Sequence, residues 1–405
     1  MIDLKGDPRV YELADLALTY SSLELKNIRE TGGERKHIML QGEAITSPVL
    51  LAAQKAILQR GHTAEIVVSL SGANKQFYDY SEGSQLDYVP TSLVSRVNNS
   101  DGFFFVLGSE DPLELKDCDS SKMAHLAKGR KFLYEMREGK PWILVPFPTD
   151  AAAELAHMSP EEYAKFLFEA TNVNYGVMKQ KQQRLTDAFN GGSEVAVRTR
   201  GPDGKLLELL MGIQGSYAVN HPGKYNIPDG EVFTAPNIVE QLAQGEVYVQ
   251  DFPAIIGGKR ISGIYFKFDG GRVVDFNAKE GREHLESIVK TDAGSCRLGE
   301  IAVATNDNIA KYHFTENILF DEKRGGTFHF AIGLAFPDCF TLHDPKSKMG
   351  KAEIEAARAA GRINESATHT DVISGLVSED PKLGIYIDGK KVVRVGESEY
   401  APLAA

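Results

Sequence analysis

The chain of 405 residues is too long for one ordinary hydrophobic core, so we expect two or three domains. Hydrophobic residues at 42% and charged residues at 25% are typical of a soluble globular protein, and no run approaches about 18 uncharged apolar residues, so no membrane span is predicted. The formal charge of -11 is spread over interleaved acids and bases, so no basic patch indicates nucleic acid as a partner.

The cysteines and the N-terminal residues indicate the compartment. The three cysteines, Cys118, Cys296 and Cys339, are widely spaced and form neither a disulfide framework nor a zinc-finger pattern. The N-terminal residues soon include the charged side chains of Asp3 and Lys5 and lack the apolar core of a signal peptide. We therefore expect a cytoplasmic protein.

The first half of the chain alternates helical and extended patterns. Apolar residues at helical spacing predict helices over 8–27 and 46–60. Short apolar runs predict strands over 37–40, 64–70, 102–108 and 142–146. The runs around Val67, Phe104 and Leu144 are apolar on both faces, as in a buried parallel sheet. This alternation predicts a doubly wound α/β domain with a mostly parallel sheet.

A well-marked helix leads to the predicted domain boundary. Ser159 suits the cap position, Pro160 suits the first turn, and Glu162 can hydrogen-bond back to the cap. Helical spacing continues, with a break near 172–175, until a glycine-rich stretch at 190–193 interrupts it. We place the boundary at this interruption.

The second half changes character, so we predict an N-terminal α/β domain at residues 1–190 and a C-terminal domain at 191–405. Asp-Gly turns predict two β-hairpins, at 264–276 and 384–395. Strands dominate, helices are fewer, and no repeat of about 20–50 residues recurs. The C-terminal domain is therefore predicted to be α+β.

Five side chains of this predicted α+β domain form a metal-ligand inventory: Glu231, Glu300, His329, His369 and Asp371. Each falls in a short stretch dense in glycine, proline or asparagine. Carboxylates and imidazoles together suit a pair of divalent ions and the hydrolysis that such pairs catalyse. The alternative is that five polar residues lie on loops without a common role.

The local pattern around each histidine leaves more than one role open. His369 and Asp371 are two residues apart, so on a strand they point to the same side with Cα atoms ~6.6 Å apart, whether the strand lines a site or the surface. His329 alternates with Phe328 and Phe330, which predicts an apolar face opposite the imidazole. For a lone histidine, a hydrogen-bonded core position is the commoner outcome.

The acidic residues favour two metal ions over one. Glu231 and Glu300 each lead into an apolar run, and a carboxylate buried there needs a cation. Together with Asp371 they carry three negative charges, and a bridging hydroxide adds a fourth. Two divalent ions ~3.5–4 Å apart would balance these charges and activate the water between them.

Four motifs in chain order resemble the aminopeptidase T and aminopeptidase S type of metalloaminopeptidase. They are Asn226–Pro236, Gly299–Ala302 followed by Asn306, Leu319–Gly333, and His369–Asp371. The resemblance is strong over roughly 140–380. It is weaker before that range, where Trp142–Pro146 and the helix start at Met158–Tyr163 also match.

The resemblance implies homodimers with an enclosed active-site chamber, and removal of N-terminal residues from short peptides. It also implies two divalent metal ions (Co, Zn, Mn or Mg), among which mixed carboxylate and imidazole ligands do not select. By family position the metal ligands would be Glu231, Glu300, His329, His369 and Asp371. Glu322 would be a further acid near the ions, as ligand or proton shuttle.

Two features depart from the family pattern. Phe336 stands where relatives carry a tyrosine seven residues after the first histidine, and the lost hydroxyl would donate to the developing oxyanion, a role worth ~2.7–4 kcal/mol. Tyr312 and His313 are alternative donors. The segment Phe340–Ile363 is also longer than expected. Within it, 346–361 predicts a charged, alanine-rich helix that forms a lid, a dimer contact or a solvated insertion.

We expect peptide hydrolysis in which Glu322, or in reserve Glu231, takes a proton from the attacking water. The alternative is a ring-cleaving dioxygenase, because some iron oxygenases acting on dihydroxypyridine resemble this fold. His329, His369 and Asp371 alone could form a two-histidine, one-carboxylate iron site. Such a site has no need of the two glutamates that precede His329. A non-catalytic binding protein is the third possibility, and no glycine-rich motif indicates a nucleotide.

Overall fold

A computed structural model describes residues 4–137, 139–250, 252–374 and 380–403. The chain divides into two compact units, one of residues 1–175 with 222–229 and the other of residues 176–221 with 230–405. The boundary expected after residue 190 falls at the end of a helix that belongs almost entirely to the second unit. Within the described ranges, no helix has the length and apolar character that crossing a bilayer requires.

The first unit consists of helices around one parallel sheet. Its helices are Pro8–Tyr20 (α1), Ile28–Thr31 (α2), Ser47–Gln59 (α3), Ala73–Tyr80 (α4), Ser84–Asp87 (α5), Thr91–Asn99 (α6), Ser120–Gly129 (α7), Lys131–Arg137 (α8), Asp150–Leu155 (α9) and Pro160–Thr171 (α10), with a 3₁₀ turn at Ala44–Thr46. Its strands are His37–Glu43 (β1), Thr63–Ser69 (β2), Gly102–Leu107 (β3) and Trp142–Pro146 (β4).

The sheet of the first unit has the strand order β2–β1–β3–β4, and every neighbouring pair is parallel. Phe104 in the interior strand β3 is fully buried. The expectation of burial on both faces is wrong for Val67 and Leu144, which are only partly buried, and Val67 lies in the edge strand β2.

Local sequence signals account for the helix ends in this unit. The predicted capping box of α10 is present, with Ser159 and Glu162 hydrogen-bonded to each other's backbone N–H groups. Helix α1 ends at Tyr20, earlier than predicted, and Leu23 and Leu25 are buried in the non-helical segment that follows.

The second unit is dominated by antiparallel strands. Its helices are Tyr175–Gly191 (α11), Arg282–Val289 (α12), Asp307–Ala310 (α13), Ile318–Asp321 (α14) and Lys348–Ala359 (α15), with a 3₁₀ turn at Pro337–Phe340. Its strands are Glu194–Arg200 (β5), Leu206–Gly212 (β6), Glu231–Thr234 (β7), Gln244–Val249 (β8), Ala254–Ile256 (β9), Lys259–Asp269 (β10), Arg272–Glu280 (β11), Leu298–Ala304 (β12), Phe328–Gly333 (β13), His369–Ile373 (β14), Gly384–Ile387 (β15), Lys390–Gly396 (β16) and Glu399–Pro402 (β17).

These strands form two antiparallel sheets. The larger has the order β11–β10–β8–β6–β5–β15–β16–β17, with β9 beside β10. It contains both predicted hairpins, β10–β11 and β15–β16. The smaller has the order β14–β13–β12–β7 and is called the site sheet below. The combination of a parallel sheet with helices and antiparallel sheets agrees with the predicted α/β and α+β classes.

The predicted charged helix is present as α15 and has one buried face. Ile354 and Ala357 pack in an apolar cluster with Ala335 and Phe340. The segment is therefore anchored through its apolar residues and is not a wholly solvated insertion.

Candidate metal centre

The site sheet brings the five predicted ligands together on adjacent strands. Glu231 begins β7, Glu300 lies in β12, His329 lies in β13, and β14 carries both His369 and Asp371. The sequence offered an extended conformation as one interpretation around the histidines and placed Glu231 and Glu300 at the start of apolar runs, and the sheet order makes these segments neighbouring strands.

The strand register places the ligands on one face. Ala331 of β13 pairs with Glu300 on one side and with Asp371 on the other. Paired residues of antiparallel strands project to the same face, and His329, two residues before Ala331, shares that face. His369 shares it too, because it lies two residues before Asp371.

The two faces of the site sheet differ in composition. The face opposite the ligands contributes apolar residues to the core of the unit: Val232, Ile301, Val303, Phe328, Phe330, Ile332 and Val372. The ligand face carries the small residues Ala302, Ala304, Ala331 and Gly333 between the acids and imidazoles. The alternation predicted around His329 is therefore observed, and the small side chains leave space beside the imidazole.

His329 lies between two carboxylates. Its Nε2 is 3.1 Å from Glu231 Oε2 and 3.3 Å from Glu300 Oε1. Burial is the largest single effect and lowers the pKa of this imidazole, but the neighbouring acids Glu231, Glu300 and Asp371 together outweigh it and raise the pKa well above the ordinary range. Three side chains from separate strands thus point nitrogen and oxygen atoms at one another in a buried space.

His369 has one ring nitrogen fixed and the other directed at acids. Its Nδ1 donates to the carbonyl oxygen of Leu334 at 2.7 Å, which leaves Nε2 free to act as a ligand atom. Nε2 is 3.3 Å from Asp371 Oδ1 and 3.7 Å from Glu300 Oε2. Burial is the largest single effect and lowers the pKa of His369, but Asp371, Glu300 and the Leu334 carbonyl together outweigh it, so the pKa rises to about 9. Burial raises the pKa of Asp371, but His369, His329 and Lys323 together outweigh that effect, so this pKa lies below its usual range.

Lys323 and Glu322 complete the charged cluster. Lys323 Nζ is 2.5 Å from Glu231 Oε1 and 3.0 Å from Glu322 Oε1, and its side chain is 3% exposed. Burial raises the pKa of Glu231, but Lys323 and His329 together outweigh burial and the pKa is lowered. Burial raises the pKa of Glu300 above its ordinary value, and it raises the pKa of Glu322 to about 8.

The residues present fit a metal centre. Among the described residues, three groups have donor atoms within 4.8 Å of one another: Glu231, Glu300 and His329; Glu300, His369 and Asp371; and Glu322, His329 and Asp371. Glu231 Oε2 and Asp371 Oδ1 are buried without a hydrogen-bond partner, although each lies near an imidazole Nε2. Each of these two oxygens is thus close to an imidazole nitrogen without forming a hydrogen bond to it. A cation held by the carboxylates and imidazoles would give these buried oxygens a partner.

Sequence reasoning identified some of these residues and missed others. All five predicted ligands and Glu322 lie in the cluster, while their metal-binding roles stay predictions. Lys323 was missed as a site residue, and its only signal was its place after Glu322 in the Leu319–Gly333 motif. Phe336 lies at the edge, with its ring centroid 4.6 Å from that of His369 and 5.9 Å from that of Phe233.

A comparison with protein families gives the class of this chain. The thermophilic metalloprotease family (M29) matches residues 9–393. The chain therefore belongs to this family, and it is a metal-dependent aminopeptidase, a hydrolase of peptide bonds. A divalent metal cofactor follows from that membership.

Individual relatives support the same class. The chain is 29% identical over 325 residues to aminopeptidase AmpS of Bacillus subtilis, covering 71% of this chain and 74% of the relative. It is 29% identical over 277 residues to aminopeptidase T of Thermus thermophilus, covering 62% of this chain and 63% of the relative. The match thus spans just under two thirds of the length of aminopeptidase T.

Two solved structures share the fold. Wild-type AmpT from Thermus thermophilus has a TM-score of 0.69 at 21% identity, with 91% of this chain and 93% of that chain covered. The 2,5-dihydroxypyridine dioxygenase of Pseudomonas putida has a TM-score of 0.52 at 14% identity, with 98% and 97% covered. At these identities both similarities concern the fold alone.

Proposed function

We propose that this chain removes N-terminal residues from peptides with the help of two divalent metal ions. The ligands would be the five side chains that converge on one face of the site sheet: Glu231, Glu300, His329, His369 and Asp371. The observation that carries the proposal is that Glu300 belongs to two adjacent groups of donors, one with His329 and one with His369. A carboxylate in that position suits a bridge between two ions.

The charges of the cluster support two ions over one. Three of the five ligands are acids, and the charge of an ionised Glu322 would be balanced by that of its neighbour Lys323. Two divalent ions and a hydroxide would therefore leave a buried site neutral, whereas one ion would leave an acidic excess. Cobalt, zinc, manganese and magnesium all suit mixed carboxylate and imidazole ligands.

The chemistry assigned to Glu322 is that of a general base. When bound, the metal ions supply a water of lowered pKa and polarise the scissile carbonyl. Glu322 lies within 4.8 Å of the donor atoms of His329 and Asp371 and outside the five-ligand set, so it is placed to accept the proton of that water. Lys323, at 3.0 Å, holds the Glu322 carboxylate in this position. Glu231 is the reserve base.

The surroundings of the site suit an apolar substrate side chain. The rings of Phe233 and Phe336 lie next to each other, and Phe336 contacts the ring of His369. Both phenylalanines are only partly buried, so their surfaces are available beside the ligands. The relatives named aminopeptidase support peptides as substrates. We also propose a cytoplasmic location, from the cysteine pattern, and a homodimer, from the family resemblance of the motifs.

A dioxygenase remains the alternative that the fold similarity to the Pseudomonas putida enzyme raises. A two-histidine, one-carboxylate iron site would use His329, His369 and Asp371. Among the described residues, each of these imidazoles shares a group of close donors with Asp371, but no one group contains all three, and each imidazole is also grouped with Glu300. The peptidase is therefore the better-supported function, and a binding protein without activity is the last alternative.

Elemental analysis of the purified chain, combined with a leucine amide assay, tests the proposal. We expect two non-redox divalent ions per chain and hydrolysis that disappears with a chelator and returns with cobalt, zinc or manganese. The variant Glu300→Gln, in the ligand shared by both groups, should lose metal and activity together. One iron per chain with oxygen uptake would support the dioxygenase, and no hydrolysis with any of these metals would support a binding protein.

A further inference from the structure

Three loops meet beside the ligand strands. Residues 292–297 lead into β12, residues 334–335 follow β13, and residues 364–368 lead into β14. The backbone of Leu334 donates to Thr368 O at 2.7 Å, and Ala335 donates to Asn364 O at 2.9 Å. The positions of Glu300, His369 and Asp371 therefore depend on how these loops fit together.

Asp292 connects the first of these loops to the last. Its Oδ2 accepts from Ala367 N at 2.7 Å, and its Oδ1 accepts from Ser366 Oγ at 2.9 Å. The same Oδ1 accepts from Gly294 N at 2.9 Å and from Ser295 N at 3.0 Å. One carboxylate thus receives hydrogen bonds from two loops separated by about seventy residues of chain.

The backbones of the 292–297 and 364–368 loops pack so closely that a side chain at Gly294 would not fit between them. A Cβ atom added to Gly294 would lie 2.0 Å from the carbonyl oxygen of Glu365. Asn364 is buried, and its Nδ2 donates to Gly294 O at 2.9 Å and to Gly333 O at 2.5 Å. Asp292 and Asn364 therefore both hydrogen-bond across the contact between the 292–297 and 364–368 loops, which is called the junction below.

We infer that Asp292 is a positioning residue of the metal centre: its carboxylate fixes the 364–368 loop, and through that loop His369 and Asp371, against the strand that carries Glu300. Asp292 itself contacts no ligand side chain in the described structure. It acts through Ala367, two residues before His369, whose Nδ1 is already fixed on Leu334 O. This inference rests on the two-metal function proposed above.

The charged form of Asp292 is the one that the junction stabilises. Burial raises the pKa of this carboxyl, but the hydrogen bonds from Ala367, Ser366, Gly294 and Ser295 outweigh burial, so the pKa is lowered. An asparagine would keep the size of the side chain but would place an N–H donor where a backbone N–H now donates. The substitution therefore disrupts the hydrogen bonds between Asp292 and the 364–368 loop without opening a cavity.

Calorimetric titration of Co²⁺ into the chelator-treated full chain tests the inference. The wild type should bind two ions per chain, and Asp292→Asn should weaken at least one binding step by about tenfold. This is the smaller end of the loss in metal affinity expected when a residue that supports the metal ligands is replaced. At saturating Co²⁺ the kcat for leucine amide should recover, because the ligands and Glu322 are intact. Unchanged Co²⁺ affinity in Asp292→Asn would overturn the positioning role inferred for Asp292.

A matched control separates positioning from general stability. Asp388 likewise accepts two backbone N–H groups from a distant segment, Ser193 N and Glu194 N at 3.0 Å each, but neither segment carries a ligand. Asp388→Asn should leave Co²⁺ affinity unchanged. An equal loss of Co²⁺ affinity in Asp292→Asn and Asp388→Asn would also overturn the positioning role of Asp292.

A milder variant keeps the test decisive if Asp292→Asn does not fold. Ser366→Ala removes the hydroxyl donor to Asp292, together with the bond that this hydroxyl accepts from Thr368 N at 3.2 Å, and it should weaken Co²⁺ binding in the same direction by a smaller factor. Unchanged Co²⁺ affinity in Ser366→Ala would likewise overturn the positioning role of Asp292. A wild type that binds no metal would instead overturn the proposed function, so the two failures are distinguishable.

Discussion

Lys323 and Glu231 form a buried ion pair in which Nζ and Oε1 are 2.5 Å apart. The pair occupies one carboxylate oxygen of Glu231 and leaves the other, Oε2, buried without a hydrogen-bond partner and 3.1 Å from His329 Nε2. Lys323 therefore orients Glu231 so that, in the proposed metal centre, a single oxygen would face the ion.

Replacing Lys323 with methionine should make the stability of the protein more dependent on metal. Removal of one partner of a buried pair costs about 3–5 kcal/mol, because the remaining carboxylates are uncompensated. Bound cations neutralise the same carboxylates, so the rise in melting temperature on adding Co²⁺ should be larger in Lys323→Met than in the wild type. Thermal unfolding with and without Co²⁺ measures this difference.

The exposed ion pair of Lys267 with Glu246 provides the control. Lys267→Met should change the melting temperature little, because exposed pairs contribute about 0–1 kcal/mol. An equal Co²⁺ effect in the wild type and in Lys323→Met would contradict the assigned role of Lys323.

Replacing Glu322 with glutamine should lower kcat by about 10²–10⁴-fold, because the amide cannot accept the proton of the attacking water. Metal content should stay at the wild-type level, since the five proposed ligands are unchanged. Turnover of leucine amide and elemental analysis of the same sample measure both quantities. The exposed Glu283 offers a control, because Glu283→Gln should leave both unchanged. Wild-type turnover in Glu322→Gln would remove Glu322 from this role.

Adding a hydroxyl at Phe336 should raise turnover. The ring centroid of Phe336 is 4.6 Å from that of His369, and the side chain is only partly buried, so a phenol oxygen can be accommodated. A donor to the developing oxyanion is worth ~2.7–4 kcal/mol, so Phe336→Tyr should increase kcat by up to about 10²–10³-fold. Phe276→Tyr, on a strand of the larger sheet, is the matched control. Equal or lower kcat in Phe336→Tyr, with metal retained, would show that another group already serves the oxyanion.

Gly333 should be intolerant of any side chain. Its φ of 106° is unfavourable for other residues, and an added Cβ would lie 2.1 Å from Thr368 O, beside the paired residue His369. The strained backbone alone should cost about 1–3 kcal/mol in Gly333→Ala, and the contact should add to it. Gly389 has a φ of 74° but open space around it, so Gly389→Ala isolates the backbone cost. Urea unfolding midpoints compare the two, and equal losses would contradict the importance of the Thr368 contact.

Local patterns in the sequence sufficed for the parts of the site that depend on neighbours along the chain. Alternation around His329 and the two-residue spacing of His369 and Asp371 predicted which side chains share a face. The Asp-Gly turns and the Ser159 capping box predicted hairpins and a helix start for the same reason. Each of these features is determined within a few residues.

Features that depend on distant segments were not predictable in this way. Lys323 contacts Glu231 across 92 residues of chain, and Asp292 contacts Ala367 across 75. The partial exposure of β2 depends on its place at the edge of the sheet, which no local pattern encodes. Sheet order and loop packing therefore supply what the sequence patterns lacked.

Anomalous diffraction from crystals of the Co²⁺-loaded chain tests the central claim most directly, because it locates each ion among the side chains. We predict two peaks, one among Glu231, Glu300 and His329 and the other among Glu300, His369 and Asp371. A single peak, or peaks away from the ligand face of the site sheet, would contradict the two-metal account.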